Sequence, residues 1–242
     1  MSTKKVTNPN AKGGSGFLWA ILAVILIAAV VIGYIVISGQ GKKTEHLADR
    51  ETVAVDFASN LGDNAVTLKS ANAAADAPAV DLYEDFSCSY CAQLAKNTDE
   101  QMKEALDEGK LVVNVRTLNF LDRGNPDGHS TRAAAAILAI VNSGDTELYW
   151  NYRAALLEDQ EEIFNKWSND DFADAAVALG ANDDVAKAIR NGDYHDEAVS
   201  VTTANADKLN SETGQVSSPR VLQNGKDVDV ADISQWINAV VK

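Results

Sequence analysis

Hydrophobic positions fall into three regimes along the chain. Residues 17–38, FLWAILAVILIAAVVIGYIVIS, carry no charge over 22 positions, roughly 33 Å as a helix and enough to cross a bilayer. A buried soluble helix is a poor account of that length. A secretory signal usually stops after ~7–15 apolar residues at small side chains. The stretch is therefore expected to be one uncleaved transmembrane helix, with Trp19 and Tyr34 near the two interfaces. Residues 1–16 precede it as a tail, and 39–50 follow as a polar tether.

The second regime is short runs of strand character. Residues 52–57 and 65–68 read as two strands joined through Gly62-Asp63-Asn64, a small edge hairpin. Residues 80–85 read as a central strand and 111–118 as another, with a helix from Cys91 to the stop at Gly109 between them. Strand, helix, strand in that order is a right-handed crossover, which makes the two strands parallel neighbours. Strand character resumes at 219–223, turns at Asn224-Gly225, a strong hairpin signal, and returns over 226–230.

The third regime is helical and fills the gap between those halves. Helices are expected over 130–141, 146–157, from the Ser168 cap to Leu179, over 183–191 and over 196–210, with Gly144, Gly180 and Gly192 as stops. Trp150 is read as core. A closing helix over 232–241 puts Ile233, Trp236, Ile237, Val240 and Val241 on one face.

A chain of 242 residues, 46% hydrophobic, can bury one good core. Five of its 21 basic residues and none of its 35 acidic ones fall in residues 1–43, which leaves 44–242 with 16 against 35, a net −19. That balance repels nucleic acid and anionic headgroups and is read as a solvated acidic surface. Lys4, Lys5, Lys12 and the terminal amine outweigh Lys42 and Lys43 across the apolar span, so the short amino-terminal side is expected in the cytoplasm and the folded part outside.

The chain has two cysteines, Cys88 and Cys91, three positions apart where the central strand becomes a helix. At such a turn, unpaired amides and the positive end of the helix dipole favour a thiolate at Cys88, and Cys91, one turn in, can close a disulfide on it. A zinc site would need two more ligands, while His46, His129 and His195 are distant in sequence, so no metal is expected. An inert bridge closing so small a loop removes little chain entropy. Redox exchange suits the pair best, and a chain keeping only a paired CxxC suits an oxidising compartment.

The order of these pieces resembles the DsbA-like thiol-disulfide oxidoreductases of the bacterial cell envelope, especially the membrane-anchored forms, over roughly residues 77–242. The resemblance rests on Asp85-Phe86-Ser87-Cys88-Ser89-Tyr90-Cys91, on Glu147-Leu148-Tyr149-Trp150 and Ala155-Leu156-Leu157-Glu158-Asp159-Gln160, on Gly214-Gln215-Val216-Ser217-Ser218-Pro219 and on Asn224-Gly225-Lys226. It implies an α/β protein of thioredoxin fold with an inserted α-helical domain: first half 51–128, insertion 129–213, second half 214–242. Cys88 and Cys91 become the catalytic pair, supported by Asp85, Phe86, Ser89 and Tyr90. Ser218-Pro219 becomes a cis-proline loop against the disulfide, Ser218 offering backbone hydrogen bonds to an extended substrate.

Two positions depart from that family. Ser89 stands where it usually has proline. Leu82 stands six residues before the first cysteine, where many members place a buried acid; Asp81 or Glu84 could substitute, but both are expected on the opposite face of the strand. The resemblance also implies the cycle. A substrate thiolate attacks Cys88, Cys91 leaves, and a second substrate thiol resolves the mixed disulfide. No cofactor beyond the Cys88-Cys91 disulfide is expected. Reduced envelope proteins are the expected substrates, a membrane quinone-linked oxidase the expected partner and a monomer the expected state. Oxidation is the favoured direction, because secreted chains need disulfides and residues 44–76 are too few for the dimerisation domain of envelope isomerases. A reductase or isomerase, or a tethered peptide-binding module, are the alternatives.

Overall fold

The computed structural model describes residues 19, 21–22, 24–27 and 43–241. The chain divides into two compact units, 1–42 and 43–242. Of the anchor expected over 17–38, the few described residues are helical and the rest lies outside the described residues, as do residues 1–16 and 39–42. Among the described residues no helix is long and apolar enough to cross a membrane.

The second unit is built on a six-stranded sheet in the order β1-β2-β4-β3-β5-β6. The strands are β1 (Phe57–Gly62), β2 (Ala65–Ser70), β3 (Ala79–Asp85), β4 (Val112–Leu118), β5 (Arg220–Gln223) and β6 (Lys226–Asp227). β3 and β4 are parallel, as the crossover requires, and every other pair is antiparallel. The helix between them is α1 (Ser89–Asp107). It ends at Gly109, whose φ of +68° and approach to the backbone at Asn72 leave no room for a Cβ.

Between β4 and β5 lie α2 (His129–Ser143), α3 (Thr146–Glu158), α4 (Gln160–Ile163), α5 (Asn169–Ala178), α6 (Asp183–Asn191) and α7 (His195–Thr213). A 3-10 turn, Ile233–Gln235, leads into α8 (Trp236–Val240). A full capping box, Ser168 with Asp171, starts α5. The register fixes two faces of β3. Leu82 sits across from Val115 and Val221 in the large core with Trp236 and Ile237, while Tyr83 packs with Leu118, Leu209 and Leu222 on the other side.

Three expectations change. The first strand is 57–62 rather than 52–57: Asp63 and Asn64 both have positive φ and make a two-residue turn that pairs Gly62 with Ala65, so the register runs back from there. The returning strand stops at Asp227, and the closing helix is five residues because Asp232 caps a 3-10 turn first. Residues 43–50, read as the end of a polar tether, lie on the helical block, with Leu47 in the core.

Candidate active site

Cys88 stands at the corner between β3 and α1. Its N–H donates to the Asp85 carbonyl at 2.9 Å, and its own carbonyl accepts from the N–H groups of Cys91 at 3.0 Å and Ala92 at 3.1 Å. It is thus the N-cap of α1, with an extended backbone. Both cysteines are free thiols; Cys88 is 7% exposed and Cys91 2%. One sulfur can be approached and the other is enclosed.

The environment separates their protons. The Cys91 thiol, hydrogen-bonding to Cys88, brings the Cys88 thiol down to about 5, helped by the Ser218 side chain and the amides of Cys91 and Tyr90, against the opposing effect of burial. Cys91 is pushed well above the ordinary thiol range, by burial first and then by its hydrogen bond to Cys88 and the charge there. The pair therefore holds one proton at neutral pH, on Cys91. The Ser218-Pro219 peptide bond is cis, and the Ser218 carbonyl accepts from the Cys88 thiol at 3.5 Å when that proton is present. Ser89 and Tyr90 are exposed. The Ser89 hydroxyl, in the place of the family's usual proline, is not among the groups that lower Cys88. Tyr90 instead borders a groove of about 330 Å³ with Leu94, Pro219 and Ile233.

Phe86 is fully buried in the core cluster that contains both cysteines. The Asp85 side chain turns away from the sulfurs. It accepts from the Ser130 hydroxyl at 2.5 Å, the Ser87 amide at 2.8 Å and the Leu121 amide at 3.2 Å. Burial still raises its carboxyl to about 6. Ser130 also lies 2.6 Å from the Ser87 hydroxyl, and the Gln160 amide donates to the Ser87 carbonyl at 3.0 Å. The loop carrying Cys88 is thus clamped to α2 and α4.

On the other side of Cys91 the face of the strand corrects the sequence reading. Asp81 does point away, toward Arg116 and Asn114. Glu84, two residues beyond Leu82, shares its face. Its carboxylate accepts from Arg153 Nε at 2.9 Å and Nη2 at 2.6 Å, and Arg153 Nη1 donates to Asp99 at 2.7 Å. Leu82, Glu84, Cys91, Asp99, Arg153 and Pro219 border a cavity of about 10 Å³. The sequence reading missed Asp99 and Arg153. Two residues on from Leu82 is Glu84 and two helical turns on from Cys91 is Asp99, but no such count leads to Arg153, 54 and 69 residues from its partners.

A strand-to-helix corner carrying CxxC, a cis proline beside its sulfurs and a helical block inserted before that proline define the class: a thioredoxin-fold thiol-disulfide oxidoreductase. A thioredoxin family model matches residues 72–241. The chain is 47% identical to the MdbA protein, a thiol-disulfide oxidoreductase from Corynebacterium diphtheriae, whose structure superposes over 80% of this chain and 98% of that one with a TM-score of 0.78. It is 40% identical to the MdbA protein of Corynebacterium matruchotii, over 84% and 98% of the two chains, TM-score 0.76. Reduced DsbA from Mycobacterium tuberculosis, 19% identical over 75% and 94%, TM-score 0.58, shares the fold. No curated protein sequence matches the chain. The chain belongs to the DsbA-like thiol-disulfide oxidoreductases of the thioredoxin family.

Proposed function

We propose that this enzyme is an oxidase that introduces disulfides into reduced substrate proteins outside the cytoplasm, with Cys88 as the attacked sulfur and Cys91 as its partner. The observation that carries the direction is the thiolate at Cys88. A thiol lowered to about 5 is ionised at neutral pH, and its hydrogen bonds exist only after the disulfide has opened. They therefore stabilise the dithiol over the disulfide, by about 2 kcal/mol at pH 7 after allowing for solvent on the open side of the sulfur. A protein that prefers its own dithiol form gives its disulfide away.

A substrate thiolate attacks Cys88 Sγ, and the Cys88–Cys91 bond breaks with its electron pair on Cys91. A second substrate thiolate then attacks the substrate sulfur of the mixed disulfide, and Cys88 leaves as thiolate. The substrate loses two electrons and keeps a new S–S bond. Phe86 backs the pair from the core, Ser218-Pro219 and Tyr90 flank the approach, and the free Ser218 backbone receives an extended substrate segment. The disulfide serves without a further cofactor. Residues 17–38 hold the monomeric domain at the membrane with the amino terminus inside, within reach of a quinone-linked oxidase that restores the disulfide.

Oxidative refolding of a reduced test protein is the deciding experiment. Wild type in its disulfide form should drive it, and Cys88→Ala should abolish it; refolding at the wild-type rate by Cys88→Ala would end this reading. A couple potential near ~−120 mV accords with the oxidase, whereas one near ~−270 mV makes the protein a reductase.

A further inference from the structure

We propose that Ser130, on α2, is a positioning residue for the exchange reaction: its hydroxyl ties Ser87 to Asp85 and so holds the corner that presents Cys88 to an attacking thiolate. The inference rests on Cys88 being the attacked sulfur. Attack on a disulfide needs the incoming sulfur, Cys88 Sγ and Cys91 Sγ in line, so a small rotation of the corner slows it. The corner gains little rigidity from the residues after Cys88. Ser89 is the first residue of α1, a position where proline would preset φ and serine does not, and both Ser89 and Tyr90 are exposed.

The corner is held from the residue before it. Every polar group of Ser87 is engaged. Its N–H donates to Asp85 Oδ1 at 2.8 Å, an Asx turn, its carbonyl accepts from Gln160 Nε2 at 3.0 Å, and its hydroxyl lies 2.6 Å from that of Ser130. Ser130 has one hydroxyl proton and donates it to Asp85 Oδ1 at 2.5 Å, so Ser87 is the donor between the two serines. The bonds close a ring: Ser87 hydroxyl to Ser130, Ser130 to Asp85, and the Ser87 amide to the same Asp85 oxygen.

The ring is anchored on two rigid elements. Asp85 ends β3, and Ser130 lies in the first turn of α2, its N–H donating to Asp122 Oδ1 at 3.0 Å. Asp85 and Ser130 are both fully buried, so water does not compete and each bond is stronger than an exposed one. The Asp85 carboxyl, raised by burial to about 6, is mainly ionised at neutral pH and accepts from both donors in the ring. Removing the Ser130 hydroxyl takes the acceptor from Ser87 and a donor from Asp85 together. The helical block therefore does more than cover the site: α2 sets the aim of Cys88.

The test is the rate at which dithiothreitol opens the disulfide of the full-length protein at neutral pH, followed by stopped flow. Ser130→Ala is expected to react about tenfold more slowly than wild type, and Ser130→Thr, which keeps the hydroxyl, close to the wild-type rate. Ser89→Pro stiffens the corner from its other side. It should therefore speed Ser130→Ala by a factor about threefold larger than its effect on wild type, a coupling that the double-mutant cycle reads directly. Ser87→Ala, at a half-buried position outside α2, should show the same slowing and serves if Ser130→Ala does not fold. A rate within about twofold of wild type in either alanine variant would overturn the role of Ser130. So would equal slowing in Ser130→Ala and Ser130→Thr, or an equal effect of Ser89→Pro in both backgrounds, because the loss would then belong to the fold at large. Dithiothreitol opens the disulfide whichever way electrons flow physiologically, so a wild type that fails to oxidise substrates while Ser130→Ala stays slow refutes the oxidase and upholds the positioning.

Discussion

His129 and Asp85 hold their protons in opposite ways on two sides of Ser130. His129 is fully buried against the rings of Phe172 at 5.5 Å and Phe164 at 5.7 Å, with both ring nitrogens unpartnered. Burial lowers it to about 4, aided by Arg132 and opposed by Asp122. An unfolded histidine takes its proton near 6.5, so this residue makes the fold lose about 3 kcal/mol as pH falls from 6.5 to 4. Asp85 does the reverse. Its carboxyl, raised from 3.8 to about 6, makes the fold lose a similar amount as pH rises through that window. The two nearly cancel, and denaturant unfolding of wild type should vary little between pH 4 and 6. His129→Phe removes one arm, and its unfolding free energy should fall by about 3 kcal/mol from pH 4 to 6; a flat profile would refute the assignment. Cys88 adds a slope to the dithiol form alone. Its lowered pKa stabilises that form above the unfolded thiol value near 9, and the gain disappears as pH falls through 5. The stability difference between dithiol and disulfide proteins should therefore shrink on acidification toward pH 5 and stay constant below it, as measured by paired urea titrations.

At the scale of elements, most of the architecture was legible because its signals are local. Gly109, Gly144 and Gly192 stop helices by their own backbone freedom, and Ser168 with Asp171 announces α5. The first strand was misplaced because 52–57 is more apolar than 57–62. The decisive term was instead the two-residue turn at Asp63-Asn64, and Val53 spends its backbone groups on Asn151. The cysteines and the strand-to-helix corner were visible in sequence, whereas the cis bond at Ser218-Pro219 followed only from the family resemblance. The Glu84–Arg153–Asp99 cluster was not, because it joins β3, α1 and α3 across separations of 54 and 69 residues. No spacing rule spans such separations. The cluster also sets the cost of breaking it. Arg153→Met leaves two carboxylates against a buried space with no cation, and should lower unfolding free energy by about 3–5 kcal/mol at pH 7. The loss should lessen in acid as the Asp99 carboxyl, held above the usual range by burial, takes up a proton, whereas a variant equally destabilised at every pH would point to packing alone.

Across the whole second unit, Lys43, His46 and Arg50 of the segment leading into the helical block each meet an acidic side chain of that block. Lys43 donates to Asp171 and to the Lys166 carbonyl, both at 2.8 Å, His46 pairs with Asp159 at 2.9 Å, and Arg50 pairs with Glu158. These contacts stretch the segment over α3, α4 and α5, yet exposed pairs of this kind contribute only ~0–1 kcal/mol each and are screened by salt. Leu47 is different, at 1% exposure within the main core. Burying a leucine contributes about 1.5–3 kcal/mol, and removing one leaves a cavity as well. The charges therefore set where the segment lies, and the leucine holds it there. In the full-length protein, Leu47→Ala should cost about 2–4 kcal/mol of unfolding free energy, while replacing Lys43, His46 and Arg50 together by glutamine should cost about half as much or less. Adding 1 M salt should remove most of the triple variant's deficit relative to wild type and leave the Leu47→Ala deficit in place. If salt closed both gaps equally, the segment would be held by charge, and Leu47 would be a passenger in its own pocket.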